Sequence, residues 1–292
     1  MTNALTIVTP TFDPLGIAFD PLVCSANHAC DPNALVVFDG AVVSLRSLRS
    51  IVKDEELFIS YIDSTNPFAE RQHELRDRYG FDCACTKCEA EKAQYSTSRQ
   101  LTRASTKDLF ADLDRARSSP DDHASIIICT SILGRCTVAE QQPSAAARDE
   151  LFARLCTVGD YSPALQHGIK RYFNIDPVLY PQAFHPVRVV HTWALVKVLL
   201  WLYSRPEDIQ TKQFIDRGFD FVVPIWKLLK PLTILVDCSH GSDSLFARVV
   251  KSVAVEVRDG ITATGLQNLA LIESDPGGFW RVFHSLAHND RL

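Results

Sequence analysis

Positive charge is not in excess in this sequence: 30 lysines and arginines stand against 35 aspartates and glutamates, for a formal net charge of -5. Binding to a polyanion relies on a basic surplus that releases counterions, so direct contact with nucleic acid is not expected. The opening residues, MTNALTIVTPTFDP, lack a basic stretch followed by an apolar core, so no secretory leader is read there and an intracellular protein is expected. An uninterrupted apolar run of bilayer length is also missing. The most apolar stretch, Val187 to Tyr203, carries Arg188, His191 and Lys197, and it reads as a helix buried in a folded domain rather than a membrane span. The nine cysteines do not make an even set. Three of them, Cys83, Cys85 and Cys88, sit too close in sequence to pair well with one another, which points away from disulfides and towards metal.

What is present is the make-up of a folded protein, with 46% hydrophobic and 22% charged residues. Up to about Asp63 the pattern is of short β-type runs. Leu35 to Phe38, the turn Asp39-Gly40 and Ala41 to Leu48 predict a hairpin. Glu56 to Ile62 predicts a strand ending near Tyr61, broken by Asn66-Pro67. From Pro67 to Tyr79 the spacing of Phe68, Leu75 and Tyr79 predicts a helix, with Pro67 at its first position and Gly80 as its stop.

Beyond the clustered cysteines, Glu89 to Asp121 is polar and charged, and from there the apolar residues recur at helical spacing. Three segments are expected: 1–63, 64–95 and 96–292. In the last, helices are predicted over Ala124 to Ala139, Ala145 to Val158, Pro163 to Phe173, Val187 to Tyr203, Glu207 to Leu229, Ser242 to Val257 and Phe279 to His288. Pro143, Pro163, Pro186 and Pro206 punctuate their starts. The run Ala164-Leu165-Gln166-His167-Gly168 resembles the small-residue packing positions of a tetratricopeptide helix, although no clean repeat period is visible.

The chemistry lies in the cysteines first. Cys83-Ala84-Cys85-Thr86-Lys87-Cys88 offers three thiolates from one tight loop, and a closed structural zinc site needs a tetrahedral fourth ligand. Cys24, His28 and Cys30, all in the loop CSANHACDPN, are candidates; Cys30 is the choice. Such a closed site argues against a redox or metal-handling role, which would need exposed thiols of low pKa.

Taken in order, NHACDPN (Asn27 to Asn33), EELFISYID (Glu55 to Asp63) and YGFDCACTKC (Tyr79 to Cys88) resemble the second half of a SET domain and its post-SET zinc loop, with the order and spacing of the SET and MYND family. Asn3 to Ile7 looks like the strand that precedes the Asn-His-x-Cys loop in that family. The helical remainder resembles its C-terminal domain more loosely, through Tyr161-Ser162-Pro163-Ala164-Leu165 and His185-Pro186. The resemblance implies an α+β protein: an incomplete, β-rich SET domain with a post-SET zinc loop, then an all-α, tetratricopeptide-like domain.

By the same resemblance the activity is transfer of a methyl group from S-adenosylmethionine to a lysine of a histone or another protein, in the nucleus or the cytoplasm. Tyr61 would be the catalytic residue. Asn3, Asn27, His28, Tyr79 and Phe81 would serve the cofactor, and Cys30, Cys83, Cys85 and Cys88 would hold zinc. The family's Gly-x-Gly cofactor segment and MYND zinc module are not seen before Asn27, so an incomplete cofactor pocket and little activity in the chain alone are expected. Asp54 also replaces the glycine usual before Glu-Glu-Leu. The alternative to an enzyme is a non-catalytic, zinc-stabilised helical module for protein interaction.

Overall fold

The computed structural model describes residues 5–8, 14–97 and 103–263, together with 272, 274, 281, 283, 285 and 286. The chain forms two compact units, Met1–Ala111 with Gln141–Pro143 and Asp112–Glu140 with Ser144–Leu292.

The first unit contains three two-stranded sheets among its described residues. Strands β1 (Leu5–Val8) and β2 (Pro14–Ala18) are antiparallel. Strand β3 (Asn27–His28) runs parallel to β6 (Phe58–Ile59), and β4 (Ala34–Asp39) pairs with β5 (Val42–Ser47) in the expected hairpin. Asp39 and Val42 are partners, so Gly40 and Ala41 form the two-residue loop. Gly40 has φ of 60°, at the first central position where tight hairpins favour glycine.

The strand expected over Glu56 to Ile62 shrinks to Phe58–Ile59, and side chains explain the loss. Asn33 accepts the Phe58 amide at 2.8 Å and donates to the Glu56 carbonyl at 2.9 Å, while the Tyr61 amide goes to His28. Backbone groups that would have extended a ladder are satisfied locally instead.

Helix α1 (Phe68–Tyr79) begins after Pro67 and ends at Gly80, whose amide makes a last bond to the Arg76 carbonyl and whose φ of 76° then turns the chain out of the helix. The cysteine segment departs from the expected loop. Helix α2 (Thr86–Thr97) starts inside it, so Cys88 lies in a helical first turn, and α3 (Arg103–Ser118) follows within the stretch read as merely polar. Glu, Ala, Lys, Gln and Arg there favour helix even where apolar periodicity is thin.

Past residue 118 the described residues contain no strand. The helices are α4 (Asp122–Arg135), α5 (Ser144–Val158), α6 (Tyr161–Lys170), α7 (Asp176–Leu179), α8 (Pro186–Tyr203), α9 (Ile209–Ile215), α10 (Val222–His240) and α11 (Leu245–Ala263). A π-helical turn, Arg171–Ile175, joins α6 to α7. Neighbouring elements pack in sequence, α4 on α5, α5 on α6, α6 on α8, α8 on α10 and α10 on α11.

The single helix expected over Glu207 to Leu229 is broken into α9 and the start of α10. Gly218, with φ of 76°, turns the chain. Phe214, Phe219 and Phe221 gather beside it with ring centroids 4.8–5.9 Å apart, a burial that one straight helix would forbid. Of the segment Phe279 to His288, residues 281, 283, 285 and 286 are helical and the rest lies outside the described residues. The apolar stretch at Val187 forms α8, largely buried, and no helix among the described residues is long and apolar enough to cross a membrane.

Candidate functional site

The site is built in the first unit from the β3 loop, the segment after β6, α1 and the cysteine run. Cys30, Cys83, Cys85 and Cys88 place one sulfur each within 4.8 Å of all the others, and all four are free thiols. The Cys30 and Cys88 sulfurs are 3.5 Å apart. A disulfide needs about 2 Å, whereas zinc–sulfur bonds of about 2.3 Å in a tetrahedron put neighbouring sulfurs about 3.8 Å apart. The donor set and the spacing thus fit a closed zinc tetrathiolate. Cys24 packs elsewhere, against the cluster of Val23 and Phe38.

The thiols differ in their surroundings. Burial pushes Cys83 up to about 11. Burial acts the same way on Cys85, but hydrogen bonds from the backbones of Cys88 and Cys30 outweigh it and favour the thiolate. The Gln72 side chain on α1 fixes the loop by pairing with both backbone groups of Cys83, at 2.9 Å each.

Arg71, also on α1 and 1% exposed, points its guanidinium at the cluster. Its Nη2 lies 3.8 Å from the Cys88 sulfur and 2.7 Å from Glu91 Oε2, and its Nη1 donates to the Asn66 carbonyl.

Beside the sulfurs stands an aromatic group. The Tyr61 ring is 5.0 Å from that of Tyr79 and 5.2 Å from that of His28, and Phe81 is 6.0 Å from His28. The Tyr61 hydroxyl donates to the Ala26 carbonyl at 2.7 Å, and the Tyr79 hydroxyl donates to the Tyr61 carbonyl at 3.3 Å. Burial, and then the charge of Arg71, push His28 down to about 4, so its ring is neutral at pH 7. The ring's Nδ1 accepts the Tyr61 amide at 3.1 Å, which leaves the proton on Nε2, 3.3 Å from the Cys30 sulfur. Asn27 is exposed on β3 and donates to Glu56 Oε1 at 2.6 Å. Asn3 lies outside the described residues.

Sequence reasoning passed over three residues of this site: Arg71, Gln72 and Asn33. Asn33 closes the NHACDPN motif with no role of its own in the sequence reading, yet it is 1% exposed and ties the β3 loop to Glu55, Glu56 and Phe58. Arg71 and Gln72 look like the solvated face of a charged helix. Their burial follows only from where the cysteine loop folds.

Residues 11–62 match the SET domain family model. The wider chain resembles proteins that join a SET domain to a MYND finger. It is 45% identical over 118 residues to SET domain and MYND-type zinc finger protein 6 of Schizosaccharomyces pombe, covering 39% of this chain and 24% of that protein. It is 38% identical over 89 residues to human histone-lysine N-methyltransferase SMYD3, covering 30% of this chain and 21% of the other. With human N-lysine methyltransferase SMYD2 it shares 40% identity over 266 residues, covering 85% of this chain and 57% of that protein.

The chain therefore carries SET-domain sequence. It is similar to the SET and MYND-type protein and the lysine methyltransferases named above, and it spans less than two thirds of the length of each of these three.

Proposed function

We propose that the protein carrying this sequence transfers a methyl group from S-adenosylmethionine to a lysine side chain of a histone or another protein, in the nucleus or cytoplasm, with Tyr61 as the catalytic residue. The observation that carries this reading is the setting of Tyr61. Its hydroxyl proton is committed to the Ala26 carbonyl, its ring is flanked by Tyr79 and His28, and its backbone is anchored beside a four-cysteine cluster.

S-adenosylmethionine supplies an electrophilic methyl group on a sulfonium sulfur. With its proton held by Ala26, the Tyr61 oxygen keeps lone pairs to accept from a lysine amine or from the polarised methyl group. A lysine drawn out of water against the rings of Tyr61 and Tyr79 would lose hydration of its ammonium form, which would help present the amine in its neutral, nucleophilic form. In that reaction the neutral amine nitrogen would bond the methyl carbon as its bond to sulfur breaks, the electron pair passing to the sulfur of the departing thioether and the surplus amine proton to water.

Asn27 and His28 are assigned to the cofactor, with Asn3, Tyr79 and Phe81. Both His28 ring nitrogens are engaged within the protein, which leaves its backbone and ring face for that contact. Phe81, on the rim, suits a lid over a planar base. Zinc on Cys30, Cys83, Cys85 and Cys88 would hold that lid through the adjoining loop. Segments 1–63, 64–95 and 96–292 are proposed as the SET portion, the post-SET portion and the helical domain.

The test measures S-adenosylmethionine binding by calorimetry and labelled methyl transfer to histones. Tyr61→Phe is expected to slow transfer about a hundredfold or more while leaving cofactor binding within a few fold. Transfer that survives Tyr61→Phe unchanged removes Tyr61 from the chemistry. If a form that also carries the family's Gly-x-Gly cofactor segment neither binds the cofactor nor transfers methyl, the interaction module is the better reading.

A further inference from the structure

We infer that His28 is a positioning residue that couples the zinc tetrathiolate to the backbone of Tyr61, so that the metal site sets where the catalytic tyrosine stands. The inference rests on the zinc reading above and concerns a role for the His28 ring distinct from cofactor binding.

The ring lies between two fixed partners. On one side the Tyr61 amide donates to Nδ1 at 3.1 Å. On the other, Nε2 lies 3.3 Å from the Cys30 sulfur. Because a backbone amide can only donate, Nδ1 must be the unprotonated nitrogen, and a neutral ring must then carry its proton on Nε2, aimed at sulfur. Hydrogen bonds to a charged acceptor are shorter and stronger than neutral ones, so this donor is worth more against a zinc-bound thiolate than against a free thiol. Loss of the metal would weaken the Cys30 end and free the ring to turn, taking with it the acceptor of the Tyr61 amide.

Tyr61 has few other restraints of this kind. Its hydroxyl meets Ala26, two residues before His28 in the chain, and its carbonyl meets Tyr79, one residue before the turn into the cysteine run. The β3–β6 ladder itself is only the pairs Asn27 with Phe58 and His28 with Ile59, with the Ala29 amide adding one bond to the Ile59 carbonyl. Beyond Ile59, His28 takes over the role a strand partner would have had.

Two substitutions separate the ends of the bridge. His28→Asn places an amide where Nδ1 was, keeping an acceptor for Tyr61 but falling short of the sulfur. His28→Gln places its amide near the Nε2 position, keeping a donor to Cys30 but losing the Tyr61 acceptor. Protein labelled with 15N-tyrosine gives seven amide signals, and the loss of one in Tyr61→Phe identifies Tyr61. Hydrogen exchange at that amide is then measured with zinc bound and after removal by a chelator, with the zinc content of each sample determined by elemental analysis.

In the unsubstituted protein, zinc removal is expected to speed exchange at Tyr61 about tenfold, the scale of one hydrogen bond. His28→Gln should keep its zinc as well as the parent but exchange fast at Tyr61 with or without metal. His28→Asn should release zinc faster while Tyr61 stays protected whether or not zinc is present. The coupling is overturned if zinc removal leaves Tyr61 exchange unchanged in the parent. It is equally overturned if His28→Asn responds to the chelator as the parent does, because general opening of the unit would then be the cause. Protein that binds no zinc overturns the metal reading, and the coupling with it, whereas zinc bound without an effect at Tyr61 overturns the coupling alone.

Discussion

A buried guanidinium needs compensation, and Arg71 has one carboxylate, Glu91, whose side chain is itself 34% exposed. A zinc tetrathiolate would carry two negative charges, and Nη2 reaches the Cys88 sulfur at 3.8 Å. Arg71→Met leaves that charge uncompensated and the Asn66 carbonyl unpaired; the expected loss of stability is about 3 kcal/mol or more in urea unfolding. Arg71→Lys should recover little, since a single ammonium cannot fork between Asn66 and Glu91. A loss below about 1 kcal/mol in Arg71→Met would mean that Glu91 and the cluster do not depend on it. At this scale the cysteine cluster could be found from sequence because three cysteines fall at close, fixed spacing, while Tyr61 is singled out only through the resemblance of its EELFISYID segment. Arg71 could not. In FAERQHELRDRY it is one charge among many, and nothing local distinguishes the arginine that turns inward from Arg76 and Arg78, which pair on the surface with Asp82 and Glu74.

Between elements, the closest approach that sequence hinted at lies along α6. Gly168 faces α5 and α8, and a Cβ added there would stand 3.0 Å from both Phe152 Cε2 and Leu195 Cδ1. Gly168→Val is therefore expected to destabilise the helical unit by about 1–3 kcal/mol through overpacking, read as a lower thermal midpoint. An unchanged midpoint would show that Phe152 and Leu195 yield freely. The turn before Glu55 gives a second test. Asp54 has φ of 65°, a conformation that aspartate tolerates and β-branched residues do not. Asp54→Val should cost about 1–2 kcal/mol, whereas Asp54→Gly should not destabilise, and equal effects of the two would remove backbone strain as the cause. The proline-marked starts and the Gly80 stop were legible because they act within a few residues. The break between α9 and α10 was not, because it depends on three phenylalanines finding one another across Gly218, and α2 and α3 were missed because their helicity rests on residue propensity rather than an apolar stripe.

At the scale of the whole chain, the two units draw on different sources of stability. The first has only short, separate two-stranded sheets among its described residues, and the cluster around Leu75 takes in Cys30, Cys83 and Cys88 with Ile62. The second buries long helices such as α8 and α10 against one another, with Leu165, Val196, Leu199 and Leu229 fully buried. Structural zinc contributes about 10–16 kcal/mol of apparent binding energy, comparable with the whole stability of a domain at about 5–15 kcal/mol. Removing the metal is therefore expected to weaken the unit that contains the cysteines first, opening the cysteine run while the segments around Tyr61 keep their packing, and to spare the helical unit. Limited proteolysis in a strong chelator is expected to cut first in the cysteine run, between residues 79 and 97, while a fragment running from α4 to α11 persists and the helical circular dichroism falls only in part. The same digestion with excess zinc should protect both regions. If the chelator strips the metal and residues 79–97 stay as resistant as before, the cysteine cluster contributes little to folding, and zinc is a passenger on a unit that its aromatic and aliphatic contacts already hold.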